Sequence, residues 1–344
     1  MAEEAGVSTA TVSRALSGRG PVGEVTRARV LGVAERLRYL PSAAARSLRT
    51  DRSMMIGVLV PDLANPVFVP FLRGVQHVAQ SHGYVVLVVD AQRSAEIERR
   101  ALDRLQTQGV DALLLAGPVR DKARVEELRR TGMVVADPDH LHGFRRPLVP
   151  ELERPGTWAM CDALVDLGHR RLAYVNREDL LGEAGRRRWQ AVSLRCQARG
   201  LETERLVLGR AKEPGDVAEL LAAVLRRPEP VTALVSSAHG LAPPLLRGQH
   251  AAGVELPGDC SFVTFGDSEW AEAYRPAISV VTLDLYEVAV TVTTANLRQL
   301  GRDPVGGVEL PGSARFLLRE SVGRRPVVKG SPSRSAKVVS RPRR

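Results

Sequence analysis

Cysteine is scarce in this chain of 344 residues. The three thiols, Cys161, Cys196 and Cys260, lie far apart, are odd in number and form no C-x-x-C pair. This excludes a disulfide framework and a structural zinc site, and fits a reducing compartment. No apolar run is long enough to span a bilayer. The N-terminus carries Glu3 and Glu4 and then polar residues, unlike a secretory signal, so a cytoplasmic protein without membrane contact is expected. There is no G-x-S-x-G elbow, no P-loop and no HExxH helix, so neither an enzyme nor a bound cofactor is expected. The run "DPDHLH" gathers Asp137, Asp139, His140 and His142. Alternating residues in a loop do not define a coordination geometry, and no metal is expected. Acid is absent from Arg324 onward, and the basic residues 327–344 are expected to form a disordered tail. The tail either adds weak nonspecific attraction to DNA or has no role. No short internal repeat is visible.

What is present is ordinary for a soluble globular protein: 44% hydrophobic and 26% charged residues. The length implies two or three folded units. The net charge of +10 points to a polyanionic partner, most simply nucleic acid. A high-GC genome that writes Arg for Lys would give the same charge, and the charge alone leaves both readings open.

From residue 54 the texture changes. Eight apolar runs, "IGVLVP", "YVVLVVD", "ALLLAG", "MVVAD", "RLAYV", "TALVSS", "SFVTFG" and "ISVVTLD", alternate with helix-length segments. Short continuous apolar runs between helices indicate parallel strands covered on both faces. Eight are too many for one compact five-stranded unit, and two doubly wound lobes are expected. The Pro-rich, charged run Arg145–Gly156 suggests the boundary between them.

The first fifty residues read as small helices. Gly6 permits a tight turn, and Ser8 is an N-cap whose hydroxyl accepts from the first-turn amides. Val12, Ala15 and Leu16 fall on one helical face. The opposite face, with Thr9, Ala10, Ser13, Arg14 and Ser17, is small and polar. Such a face suits a major groove: small residues let the backbone approach, Arg14 can bond guanine bidentately, and the Ala10 methyl can meet thymine. The hydroxyls of Ser8, Thr11, Ser13 and Ser17 can bond phosphates and set the register. A further helix is expected over roughly Val25–Arg38, with Val30, Val33, Ala34 and Leu37 as its apolar stripe. In "YLPSAAARSLRTDRS", Pro41-Ser42 can start a short helix over Ala43–Arg49, too short to hold alone in water. Leu48, flanked by Arg46 and Arg49, would suit a linker that folds on DNA and wedges into the minor groove. The plain alternative is an alanine-rich linker helix.

Several blocks in order along the chain resemble the lactose/galactose repressor (LacI/GalR) family of bacterial transcription regulators. They are "AGVSTATVSRALSG" (Ala5–Gly18), "TRARVLGVAERLRYLPSAAARSLRT" (Thr26–Thr50), "IGVLVPDLANPVF" (Ile56–Phe68), "GVDALLLAG" (Gly109–Gly117), "LGHRRLAYV" (Leu167–Val175) and "LPGDCSFVTFGDSEWAEAYRP" (Leu256–Pro276). The resemblance implies an α/β protein with an all-α helix-turn-helix headpiece and a hinge helix. After these comes a two-lobed doubly wound core like type I periplasmic sugar-binding proteins. Its expected limits are 1–40 for the headpiece, 41–52 for the hinge, 53–152 with 282–310 for the first lobe, 153–281 with 311–326 for the second, and 327–344 for the tail. It implies a homodimer, or a higher assembly, on a near-palindromic operator, with repression the default and a sugar or related metabolite as effector. By position Thr9, Ala10 and Arg14 read bases, and Ala45 and Leu48 of the hinge contact the minor groove, Leu48 as the intercalating lever. The family's first helix starts upstream of Met1, and only "MAEEAG" stands for it here. The headpiece is therefore expected to be truncated by a start assigned too late, and operator binding by the chain as given to be weak. The competing expectation is a repressor-like small-molecule binder with weak or lost DNA binding. A periplasmic solute-binding protein would share the core, but the headpiece and the lack of a signal oppose it.

Ligands in doubly wound lobes bind where strand carboxyl ends open into a crevice. Asp62, Asn65, Asp90, Gly117 and Asp137 stand at such ends. The resemblance implies effector contacts from Asp137 and Arg188, with Asn65 and Phe68 at the cleft lip. A carboxylate can accept sugar hydroxyls, and an Arg fork can donate to them or hold an acid. Two positions depart from the pattern. Ala238 and His239 replace an Asn-Asp pair, and Gly266 replaces the first of two aspartates, leaving Asp267. Either the effector is not a common sugar or effector control has weakened. His239 is the one substitute able to donate, to an anionic ligand for example.

Overall fold

The computed structural model describes residues 1–17, 20–37, 52–136, 148–208, 214–301 and 309–326, without the side chains of 17, 178–183 and 214–216. Ala45, Leu48, Asp137 and the tail 327–344 lie outside them. The chain divides into two compact units, Met1–Met54 and Met55–Arg344.

In the first unit, α1 (Ala2–Ala5), α2 (Thr9–Ser17) and α3 (Glu24–Arg36) follow each other closely. α1 stops at Gly6, whose φ of 62° lets its N–H reach back to the Ala2 and Glu3 carbonyls. The Thr11 N–H donates to Ser8 Oγ at 3.1 Å, the expected N-cap. Ala5, Val12, Ala15, Val30 and Val33 form a small buried core, with Met1, Val7, Leu16 and Val22 packed on it. An exposed ion pair, Arg36–Glu4 at 3.1 Å, joins α3 to α1. One expectation fails here. Leu37 is 46% exposed, because α3 ends at Arg36 and Leu37 is its C-cap, off the buried stripe.

The second unit holds two sheets. In the first, β1 (Met55–Val60), β2 (Val85–Asp90), β3 (Ala112–Leu115) and β4 (Val134–Ala136) run parallel in the order β2-β1-β3-β4. Their crossovers are α4 (Phe68–Ser81), α5 (Ala95–Thr107) and α6 (Lys122–Arg130). In the second, the order is β10-β9-β8-β7-β5-β6. Its strands are β5 (Arg171–Asn176), β6 (Glu202–Val207), β7 (Ala233–Ser236), β8 (Ser261–Phe265), β9 (Ser279–Thr282) and β10 (Arg315–Leu317). All are parallel except β10, which pairs antiparallel with β9. Helices α7 (Leu148–Asp166), α8 (Glu178–Ala198), α9 (Pro214–Leu225), α10 (Ala242–Ala251) and α11 (Glu269–Ala273) belong to this lobe. The parallel orders β2-β1-β3-β4 and β6-β5-β7-β8-β9 repeat one doubly wound scheme. Central strands β3, β5, β7 and β8 are buried almost throughout, as double coverage requires.

The eight apolar runs are β1–β5 and β7–β9. The two further strands, β6 and β10, are the edges of the second sheet. β6 carries three charged residues, Glu202, Glu204 and Arg205, and β10 has only three residues. From Leu148 the segment read as the lobe boundary is helix α7, which packs on α8, β9 and β10. Pro155 is accommodated inside that helix. Beyond β9 the chain returns to the first lobe as α12 (Leu285–Gly301), which packs along α4 and under β3 and β4.

The α4–α12 contact is closed by Gly74. A Cβ there would stand 2.5 Å from the Tyr286 carbonyl oxygen and 2.8 Å from Ala289 Cβ. Gly74→Ala is therefore expected to destabilise the core by roughly 1–3 kcal/mol through overpacking. The shift of the urea midpoint at constant m-value measures it.

Candidate functional site

Two surfaces bring the candidate residues together, one in each unit. In the first, the buried faces of α2 and α3 turn Ser8, Thr9, Ala10, Ser13 and Arg14 outward, all exposed. Thr11 is half-buried and shares a 2.9 Å hydrogen bond with the Ser8 hydroxyl. The Arg14 stem passes Gly20, where a Cβ would meet its Cδ at 3.3 Å. Apart from Arg14 the outward residues named here are small, so a nucleic-acid backbone can approach this flank.

The second surface follows from strand order. In each sheet the order reverses between two strands, β1 and β3 in the first lobe and β5 and β7 in the second, and the loops beyond their carboxyl ends face a common cavity of about 1180 Å³. After β1 come Asn65, Val67 and Phe68, and after β3 Ala116 and Gly117. The opposite wall has Ala238 and His239 after β7, Gly266 and Asp267 after β8, and Arg188 from α8. Five of the six proposed effector residues thus line one cavity, and Asp137 lies outside the described residues.

Several polar groups of this wall are partnered. The Arg188 Nε donates to Glu153 Oε2 at 2.8 Å, its Nη2 to Glu153 Oε1 at 2.5 Å, and its Nη1 to the Ser237 carbonyl at 2.9 Å. The guanidinium lies 4.9 Å from the Phe265 ring centroid. The pair is largely buried, with side-chain exposures of 18% and 13%. Asp267 is held by both Nη groups of Arg319 at 2.7–2.8 Å. Just beyond β1, Asp62 takes Arg93 Nε at 2.6 Å. His239 shares a 2.7 Å hydrogen bond with the Ser268 hydroxyl and lies 4.9 Å from the Trp270 ring. Burial holds the His239 pKa below the usual imidazole range, against the weaker opposing pull of Asp267. A neutral ring of this kind carries no charge to offer an anion.

The departures noted in the sequence have a steric side. Gly266 has φ +90°, and a Cβ on it would sit 3.0 Å from Val67 of the facing lobe and 3.1 Å from His239 Cβ. A Cβ on Gly240 would be 3.1 Å from Arg93 Nη2. The two lobes meet at these glycines, and an aspartate at Gly266 would be both strained and crowded. Sequence reasoning missed Glu153 and Arg319. Each becomes significant only through a partner 35 or 52 residues away. Among the described residues no cluster of three or more potential metal ligands occurs, and no helix is long and apolar enough to cross a membrane.

A small helical unit with an exposed polar helix face, joined in sequence to a two-lobed core with a cleft at its switch points, defines a ligand-binding regulator class. Comparison with known proteins agrees. The model for bacterial regulatory proteins of the lacI family matches residues 1–42, and that for a periplasmic binding protein-like domain matches residues 161–322. The chain belongs to the lacI family of bacterial regulatory proteins. It is 24% identical to catabolite control protein A of Priestia megaterium, over 92% of this chain and 96% of that protein. It is 28% identical to the HTH-type transcriptional repressor CytR of Escherichia coli strain K12, over 93% and 94%. In fold it is similar to the lac repressor dimer bound to operator and the anti-inducer ONPF, with TM-score 0.76, 22% identity, and coverage of 94% and 97%. A LacI family regulator from Silicibacter pomeroyi has TM-score 0.74, 23% identity, and coverage of 94% and 98%.

A pH dependence follows from the buried imidazoles. His169 is fully buried between Thr232, Ser261 and the Gly323 carbonyl, and burial lowers its pKa as it does that of His239. The unfolded chain takes up these protons first, so stability is full above about pH 6.5 and falls as pH drops below it. Asp121 and Asp162, held down mainly by hydrogen bonds from the Arg124 amide and the Arg195 side chain, lose their contributions only at lower pH. Melting temperatures measured from pH 7.5 to 5 are expected to decline, with a shallower slope for His169→Gln.

Proposed function

We propose that this chain is a sequence-specific DNA-binding transcriptional regulator, acting as a repressor and binding a near-palindromic operator as a dimer. In this reading a small-molecule effector enters the inter-lobe cleft and shifts DNA affinity through its differential binding to two lobe arrangements. The observation that carries the reading is the small polar face of α2, Ser8, Thr9, Ala10, Ser13 and Arg14, exposed over a closed apolar underside. Arg14 is assigned to guanine, Thr9 and Ala10 to neighbouring bases, and the hydroxyls of Ser8, Thr11, Ser13 and Ser17 to phosphates. Ala45 and Leu48 are assigned to the minor groove at the operator centre. Asn65, Phe68, Asp137, Arg188, His239 and Asp267 are assigned to the effector cleft. The domain limits given above, from the headpiece at 1–40 to the tail at 327–344, go with this reading, as does a cytoplasmic location.

Named relatives support it. CytR is called a transcriptional repressor, one structural neighbour is a repressor dimer bound to operator, and another, from Enterococcus faecium, holds ribose. An apolar groove lined by Pro243, Leu246, Trp270 and Tyr274 on the second lobe offers a face for a second copy.

Selection of bound duplexes from a random pool tests operator recognition, symmetry and half-site spacing together. A symmetric pair of half-sites is expected. Recovery of no preferred duplex would favour the competing reading, a repressor-like small-molecule binder without operator recognition. On the selected site, Arg14→Ala is expected to cost roughly 1–3 kcal/mol and to relax preference at one base pair. Affinity is expected to fall steeply with salt as counterions are released.

A further inference from the structure

Among the described residues, two charged groups of the inner cleft wall are held in forked pairs. Arg188 is forked onto Glu153 and capped by the Ser237 carbonyl, and Asp267 is forked onto Arg319. Some uncharged polar groups nearby are bonded locally, whereas the buried Asn176 Nδ2 and Thr264 Oγ1 have no hydrogen-bond partner. The Asn65 carboxamide oxygen takes the Val67 N–H, the Ser236 hydroxyl donates to the Ala238 carbonyl, and the Ser237 hydroxyl donates to Asn176 Oδ1. The Asp90 carboxylate accepts from Leu63 and Gln92 amides. The remaining charges among the described lining residues, such as Arg120, Lys122, Arg186 and Glu272, are exposed at the rim, where water screens them. Between the pairs the wall is apolar: Val67, Phe68, Phe71, Ala116, Phe265 and Leu283.

We propose that Glu153 is a resident counter-ion that occupies the Arg188 fork and so selects an uncharged, ring-bearing effector over an anion. This rests on the reading of the cleft as the effector site and names the chemistry of its ligand. A carboxylate or phosphate reaching Arg188 must displace or lie against the Glu153 carboxylate, and either arrangement leaves one anion without its cation in a poorly hydrated site. An uncharged apolar ring sets the two anions in no such conflict and gains contact with Phe68 and the apolar residues beside it.

Isothermal titration of the full chain with 1-naphthol and gluconate tests this. Wild type is expected to bind 1-naphthol at least roughly tenfold more tightly than gluconate, and Phe68→Ala to weaken 1-naphthol several-fold. Glu153→Gln, which keeps the side-chain shape but removes the charge, is expected to gain roughly tenfold or more in gluconate affinity. Its melting curve confirms that it is folded. Gluconate binding wild type as tightly as 1-naphthol overturns the proposal. So does 1-naphthol failing to bind, 1-naphthol binding unaffected by Phe68→Ala, or a folded Glu153→Gln with no gain for gluconate. Duplex selection is scored without any of these ligands, so failure of the regulator reading would be seen separately.

Discussion

A parallel strand cannot hairpin back onto its neighbour. Each must be reached by a crossover, and the crossover helices cover both faces of the sheet. Most of the second unit follows from this constraint. It explains why β3, β5, β7 and β8 are buried almost throughout, and why the loops at the strand carboxyl ends have no sheet left to cover. It also explains why strand order must reverse somewhere in each lobe. The cavity stands where the two reversals face each other, and every residue assigned to it except Arg188 follows a strand.

Burying charge in such a place imposes a second condition. A guanidinium or carboxylate removed from water needs an opposite charge with good geometry, or it loses its charge. The second lobe meets this condition twice with forked pairs, Arg188 on Glu153 and Arg319 on Asp267, and a third time by leaving His239 neutral. The carboxylate on α7 therefore belongs to the cleft as much as the guanidinium it holds.

Much of this was legible in the sequence. Eight strands announced themselves as apolar runs because coverage on both sides demands it. The Ser8 cap and the Val12, Ala15, Val30 and Val33 faces were legible because a helix repeats its neighbours every three or four residues. What local patterns could not give were features defined by a distant neighbour. β6 and β10 are edges, where one open side relaxes the apolar requirement. Glu153 looked like part of a charged connector, since nothing near it in the chain shows that it meets Arg188. Pro155 read as punctuation yet sits within a helix that packs tightly enough to tolerate it. The loss of an acid at Gly266 was visible, but its steric basis, Val67 of the opposite lobe, was not.

The return of α12 to the first lobe has a consequence for biogenesis. β1 through β4 leave the ribosome first, yet the helix that closes one side of their sheet is encoded after almost the whole second lobe. The first lobe must wait, half clothed, until about residue 301 has been synthesised. During that interval its uncovered apolar surface is the natural client of a chaperone that holds nascent chains.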